Sequence, residues 1–253
     1  MHVIGNPVTI DLRKGVKMLR SAILGLLNGQ SVDFVDVMMY VASCFIIIFL
    51  VLPLHEYAHA RMALKLGDHT AEYVGRVTLN PLASVDPLGA LCILLFGFGW
   101  AKPVPINTRF FRKPRRDTAL VAIMGPLSNL VAAFIGMLLW YGVVLLVPIR
   151  TMMAAQVMHY FLQFLWYYVF VNISLAVFNL LPIPPLDGSR VLSAFLSPRG
   201  AYLFNRYQRE IYLVLMFALL LGVLNVPLNY IDSWVMQGLD WLASLPFKLF
   251  GLL

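Results

Sequence analysis

The sequence TALVAIMGPLSNLVAAFIGMLLWYGVVLLVPI, from Thr118 to Ile149, runs for 32 residues without an Asp, Glu, Lys or Arg. About 20 apolar residues are enough for a helix to cross the hydrocarbon core of a bilayer. Working outward, further uncharged stretches of 18, 15, 36 and 21 residues cover 37–54, 87–101, 151–186 and 211–231. All but the 15-residue stretch are long enough to span a membrane, and the sequence therefore predicts about four spanning helices.

The composition also indicates a chain embedded in a lipid bilayer. Of the 253 residues, 60% are hydrophobic and 12% are charged, whereas about 25% of the residues of an ordinary soluble domain are charged. These values exclude a disordered chain, a nucleic-acid-binding module and a soluble enzyme. We therefore expect an all-α polytopic membrane protein, a helical bundle of about four to five spans.

Both terminal segments differ from the spans. Within residues 1–34, apolar and basic side chains fall on opposite faces of a helix, which is typical of an amphipathic segment that lies at the membrane surface. Trp234 and Trp241 indicate a second interfacial segment over 232–253, because tryptophan is enriched at the level of the lipid head groups. Residues 35–231 are then one membrane-embedded domain.

The 15-residue stretch is too short for a confident span. It contains Gly97 and Gly99 and lies between Pro87 and Pro103. Irregular backbone is tolerated at membrane depth only where other protein or water covers it. We predict a re-entrant, partly β-like region over about 70–105.

The distribution of basic residues predicts the orientation. If four spans alternate in direction, 13 Lys and Arg residues lie on one side and six on the other, and the four basic residues of the N-terminal segment count with the six. Loops on the cytoplasmic side carry the excess of Lys and Arg. We therefore expect a multi-pass protein of the cell membrane whose larger basic group, including the loop 102–117, faces the cytoplasm.

A motif with metal-binding spacing follows the first span: Leu54-His55-Glu56-Tyr57-Ala58-His59. Histidines four residues apart lie on the same face of a helix and can both bind one zinc ion, and the intervening glutamate can act as a general base on water. The alternative is a polar cap where the helix leaves the bilayer. Ionisable residues at such a depth are costly and usually functional.

A catalytic zinc site needs a third protein ligand and an open fourth position. Among the acidic residues, Asp187 shares the unusual setting of the histidines, because it directly follows the 36-residue uncharged stretch. A span outward over 118–149 and a span back would return the chain to the side on which the histidines lie. The sequence thus favours Asp187 as their partner.

The residues around this aspartate carry a resemblance to a known family. Asn179-Leu180-Leu181-Pro182-Ile183-Pro184-Pro185-Leu186-Asp187-Gly188 resembles the N-x-x-P-x-x-x-x-D-G motif of the site-2 protease family of intramembrane zinc metalloproteases. Together with the His-Glu-x-x-His motif it forms a two-part signature. Similarity extends to 97–105 and 125–129, so that the likeness covers about residues 38–195. Some members of the family also carry a PDZ or CBS domain, for which 253 residues leave no room. The chain therefore resembles the minimal subgroup of the family, which lacks both domains.

The resemblance implies a function and a set of roles. It implies regulated intramembrane proteolysis of a transmembrane protein substrate, commonly one with a single span. His55, His59 and Asp187 would bind one zinc ion per chain, Glu56 would be the catalytic base, and Asn179 would hold the substrate or the developing oxyanion. Small relatives often carry a histidine at the position of Ser84 in this chain.

Other interpretations of these residues stay open. Asn179 and Asn129 could instead form hydrogen bonds between helices, which is the commoner use of asparagine in membrane bundles. A metal or proton transporter could use the same ionisable cluster, and an inactive membrane scaffold could keep the fold. Clustering of these residues at one depth favours a reaction chamber over a transport pathway.

Cleavage within a membrane helix requires local unwinding, because the carbonyl of each peptide bond is already hydrogen-bonded. An unwound substrate could regain partners by pairing with an exposed strand edge. We predict such an edge over residues 70–83, where Val74, Val77 and Thr78 surround Gly75.

Overall fold

A computed structural model describes residues 38, 41–42, 44–96, 100–148 and 151–252 of the chain. These residues form helices and no β-strand, apart from one isolated antiparallel bridge between Val85 and Ala101. The predicted all-α class is confirmed. The predicted interfacial helix over 1–34 and the pair Gly97 and Gly99 lie outside the described residues.

In chain order the helices are α1 Cys44–Lys65, α2 Thr70–Tyr73, α3 Pro81–Ser84, α4 Pro87–Phe96, α5 Pro114–Leu146, α6 Met152–Asn179, α7 Asp187–Phe195, α8 Pro198–Arg206, α9 Gln208–Leu221 and α10 Asn225–Leu249. Helix α1 contains a π-helical turn, Ile47–Val51, near its start and continues as a regular α-helix, Leu52–Lys65.

Three helices of the described residues, α1, α5 and α6, are long and apolar enough to cross a membrane. The stretch 211–231, predicted to be a further span, is not one continuous helix. Helix α9 ends at Leu221, and Gly222 adopts the left-handed conformation with φ of 77°, a common helix end that glycine adopts without a steric penalty. With 14 residues, α9 is shorter than the length of about 20 residues that a span requires.

Helix α10 includes most of the predicted interfacial segment 232–253. It begins at Asn225 and crosses the predicted boundary without a break. It also contacts α5 and α6, and Ala243 is fully buried against them. The C-terminal helix therefore packs against the bundle, and its position at the membrane interface stays a prediction.

Helix α5 is the centre of the bundle and contacts α1, α6, α7 and α10. Ala133 and Met137 of α5 pack against Val169 and Ile173 of α6. At Gly136 a β-carbon would lie 2.9 Å from Cγ2 of Val169, so a larger residue here would force the facing side chains of α6 to shift. Small residues allow helix backbones to approach closely in membranes, and here they bring α5 next to the helices that carry the site.

The predicted strand edge over 70–83 is wrong, because Thr70–Tyr73 and Pro81–Ser84 are the short helices α2 and α3 and residues 74–80 between them are turns and irregular backbone. Pro81 is the first residue of α3, and the Asn80 side chain accepts a hydrogen bond from the Leu82 amide. Asparagine before the first turn and proline within it are strong helix-starting signals. They start α3 directly after the β-branched residues, which lie in the irregular segment around Gly75, where φ is 67°.

Candidate metal centre

The predicted ligands are held by two elements that are far apart in the sequence. His55 and His59 lie one turn apart on α1 and are 4% and 5% exposed. Helix α6 ends at Asn179, a proline-rich turn follows, and Asp187 is the first residue of α7. Both α1 and α7 contact α5, which brings the aspartate to the histidines across more than 120 residues of sequence.

The three side chains meet closely. Oδ2 of Asp187 lies 3.1 Å from Nε2 of His55 and 3.1 Å from Nε2 of His59, and the two Nε2 atoms are 3.0 Å apart. These are the only residues of the described chain that form a group of three potential metal ligands.

The donor set and its dimensions fit zinc. Zinc bonds to imidazole nitrogen and carboxylate oxygen of about 2.0–2.1 Å place neighbouring ligand atoms of a tetrahedron about 3.3 Å apart. The observed separations of 3.0–3.1 Å differ from that value by no more than a small movement of the side chains. Two histidines and one carboxylate also leave a fourth position open, as in catalytic zinc sites.

The ionisation of Asp187 suits this arrangement. Burial raises the pKa of the carboxyl group, but its close contacts with the imidazoles of His55 and His59 outweigh that effect and hold the pKa well below its usual range. The carboxylate is therefore ionised, which is the form that binds a metal.

Both imidazoles are fixed on the side away from Asp187. Nδ1 of His59 donates to the Val121 carbonyl at 2.8 Å, and Nδ1 of His55 donates to Oδ1 of Asn129 at 2.8 Å. Such partners fix the ring orientation of metal-binding histidines and leave Nε2 for the metal. Asn129 was predicted only as a candidate helix-packing or site residue, and the structure places it against His55.

Gly125 lies between these two contacts, one turn of α5 from each. A β-carbon at this position would lie 2.3 Å from Nε2 of His59 and 2.6 Å from Nε2 of His55. Val121, Gly125 and Asn129 are spaced by four residues and therefore share one face of α5. The spacing of four residues along this face of α5 is the same as the spacing between the two histidines on α1.

Glu56 is held by an irregular segment that follows Ala101. Its Oε2 accepts a hydrogen bond from the Val104 amide at 3.0 Å, and the Val104 side chain is buried against Ala60 and Ala71. Pro103 and Pro105 have no amide hydrogen, so Val104 has the only one in this tripeptide. Val104 was not predicted as a site residue, and the two flanking prolines are the only sequence signal that could have indicated it.

The remaining predicted residues lie elsewhere in the hydrogen-bond network. The Asn179 side chain donates to the Leu175 carbonyl of its own helix at 2.9 Å, and its predicted role toward substrate stays a prediction. Ser84 is buried, and its carbonyl accepts from the Lys102 amide at 2.9 Å.

Comparisons with known proteins agree with this site. The profile described as peptidase family M50 matches residues 141–223, which include Asp187. YwhC of Bacillus subtilis (strain 168), named as a zinc metalloprotease, is 46% identical over 150 residues, which is 57% of this chain and 65% of that protein. The match thus spans slightly less than two thirds of the length of YwhC.

Two further relatives align over more of both chains. Rip2 of Mycolicibacterium smegmatis is 30% identical over 210 residues, 79% of this chain and 76% of that protein. Rip2 of Mycobacterium tuberculosis (strain Erdman) is 32% identical over 200 residues, 77% of this chain and 70% of that protein. Both are also named as zinc metalloproteases, and no solved structure matches the chain. The chain therefore belongs to peptidase family M50, the site-2 protease family of zinc metalloproteases.

Proposed function

We propose that this chain is an intramembrane endopeptidase that hydrolyses peptide bonds within or near the transmembrane segments of membrane proteins. The observation that carries the proposal is the convergence of His55, His59 and Asp187 within 3.1 Å at one end of apolar helices. Glu56, adjacent to His55 on α1, supplies the general base.

Each residue has a distinct task in this reaction. His55, His59 and Asp187 hold the zinc, which when bound supplies Lewis-acid activation of the scissile carbonyl and of water. Glu56 accepts the proton of the attacking water and returns it to the leaving amine. The Val104 amide holds Oε2 of Glu56, which leaves Oε1 to carry the proton.

The positions of the ionisable residues favour a protease over a transporter. In α1, α5 and α6 as the structure describes them, the Asp, Glu, Lys, Arg and His residues lie in the last three turns of α1 and in the first turn of α5. The one exception within these helices is His159 of α6, which is exposed. A transport pathway needs polar groups near the midplane and on both sides of it. A cluster at one end of the spans instead supports a chamber that opens to one side.

The experiment that tests this function compares paired substrates. The purified chain should cleave a membrane-embedded peptide in detergent, and chelation of zinc should stop cleavage. A central Asn-Pro pair should speed this cleavage, because it weakens helical hydrogen bonds that must open before attack. The same pair should matter far less in a soluble, already extended peptide.

Two outcomes would contradict this expectation. Equal acceleration by Asn-Pro in both formats would show that the pair acts through side-chain recognition and not through unwinding. Zinc-dependent ion flux in vesicles without any peptide cleavage would replace the protease with the transporter.

We also propose that the site opens toward the cytoplasm. Exposed basic residues lie at the start of α5, beside the end of α1 that carries the histidines: Arg112, Lys113, Arg115 and Arg116. Such residues favour the cytoplasmic side. This orientation supports a multi-pass protein of the cell membrane that receives its substrate within the bilayer.

Cysteine labelling in intact cells tests the orientation. In a background without Cys44 and Cys92, an impermeant thiol reagent should label Thr151→Cys directly and Thr108→Cys only after lysis. Both threonines are exposed, so accessibility alone does not distinguish them. Direct labelling of Thr108→Cys would show that the site opens on the opposite side.

A further inference from the structure

Two buried asparagines connect His55 to a third helix. Asn129 of α5 and Asn172 of α6 are each 0% exposed. Nδ2 of Asn172 donates to the Tyr168 carbonyl at 2.8 Å, and Nδ2 of Asn129 donates to Oδ1 of Asn172 at 3.3 Å. Oδ1 of Asn129 then accepts from Nδ1 of His55 at 2.8 Å. The four groups form one continuous chain of hydrogen bonds.

The direction of this chain is determined by the backbone carbonyl at its end. A carbonyl oxygen can only accept, so the group that Asn172 turns toward Tyr168 must be its NH₂. Its oxygen then faces Asn129, which must in turn present its own NH₂. The oxygen of Asn129 is left for His55, where it requires a hydrogen on Nδ1. No other arrangement of the two amides satisfies every contact.

We propose that Asn172 and Asn129 are positioning residues whose hydrogen-bond relay fixes the tautomer and orientation of His55. The relay places the hydrogen of the imidazole on Nδ1 and directs the lone pair of Nε2 at the zinc. This inference rests on the proposed function in taking His55 as a zinc ligand, but it concerns metal affinity and not the choice of substrate.

His59 has the same hydrogen position on Nδ1, but a single hydrogen bond determines it. Nδ1 of His59 donates directly to the Val121 carbonyl, a group that only accepts. Both zinc-binding nitrogens are thus selected by backbone carbonyls, one directly and one through two side chains. Helix packing alone would not require the two asparagines to point in one consistent direction.

Zinc affinity of the full chain in detergent tests the relay. We would remove the metal, titrate zinc against a chromophoric chelator, and record the visible spectrum after Co²⁺ substitution. Asn129→Leu should weaken zinc binding by about 10- to 100-fold, the usual effect of losing a partner of a metal-binding histidine. Its Co²⁺ spectrum should also change, since the His55 ring is no longer held.

Three more variants separate the relay from a merely structural role. Asn129→Asp keeps an acceptor for His55 and should retain most of the zinc affinity. Asn172→Leu should cause an intermediate loss, because the amide of Asn129 can then rotate. Ser174→Ala removes another side-chain hydrogen bond of α6, a partly buried one to Asp232 at 2.7 Å, and should leave zinc affinity unchanged even if it lowers the melting temperature.

The results distinguish the relay from the proposed function. Wild-type zinc affinity in Asn129→Leu, or equal losses in Asn129→Leu and Asn129→Asp, would overturn the relay while leaving the protease intact. The chain could instead show the expected zinc affinities in all these variants and yet cleave no membrane peptide. That result would overturn the proposed function alone.

Discussion

Gly125→Ala is expected to abolish zinc binding and, with it, peptide hydrolysis. The added β-carbon would lie 2.3 Å from Nε2 of His59 and 2.6 Å from Nε2 of His55, the two atoms that face the metal. Neither ring can retreat easily, because their Nδ1 atoms are held by the Val121 carbonyl and Asn129. A single methyl group thus occupies the place where the ligands converge.

Gly142→Ala is the matched control for this prediction. It lies on the same helix, and a β-carbon there meets nothing within 4 Å. Alanine in a helix interior is favoured over glycine by roughly 0.5–1 kcal/mol, so this variant should keep its zinc and its melting temperature or gain slightly in stability. The zinc content of both purified variants tests this prediction. A full complement of zinc in Gly125→Ala would show that the backbone of α5 can move away from the histidines.

Local geometry explains why the centre of the site could be predicted from sequence. The i, i+4 spacing of His55 and His59 on a continuous helix allows both to face one ion wherever the helix is placed. Asp187 was identified by its position after a long uncharged stretch and by its motif. These signals lie within short segments, and tertiary structure was needed only to bring the segments together.

The partners that hold the ligands could not be predicted in the same way. The Val121 carbonyl and the Val104 amide are backbone groups, which every residue possesses, so no residue type marks them. Asn172 is an ordinary buried polar residue until α5 and α6 are packed. Which groups face the histidines depends on the rotation of α5 about its own axis, and sequence periodicity sets this rotation only roughly in a helix that is apolar on all sides.

Two segments were mispredicted because hydrophobicity contains no information about the residues that form turns and helix ends. The uncharged stretch 211–231 is long enough to span, but Gly222 ends α9 within it. The β-branched residues Val74, Val77 and Thr78 suggested a strand, yet they lie in a turn and irregular backbone around Gly75, whose φ of 67° is left-handed, and Asn80 and Pro81 start α3 directly after them. In both segments local turn signals prevailed over the average character of the residues.

Asp187→Ala, His55→Ala and His59→Ala are each expected to lose most of the bound zinc, because each removes one of three ligand atoms. Zinc content of the purified variants, which should be near one ion per wild-type chain, measures the effect. Full zinc content in Asp187→Ala would remove this residue from the ligand set. Glu210 and Asp232 would be the next acids to test, although Asp232 is bonded to Ser174 in the structure.

Glu56→Gln is expected to keep its zinc and to lose catalysis. Glutamine has the same shape, and its carbonyl oxygen can still accept the hydrogen bond that the Val104 amide gives to Oε2, so the fold around α1 should not change. It cannot accept a proton from water, however, and loss of a general base typically lowers the rate by about 10²- to 10⁴-fold. Turnover of a membrane-embedded peptide, measured beside zinc content, separates this variant from the ligand variants. Loss of zinc together with activity would place Glu56 among the ligands, and full activity would assign the base to another residue.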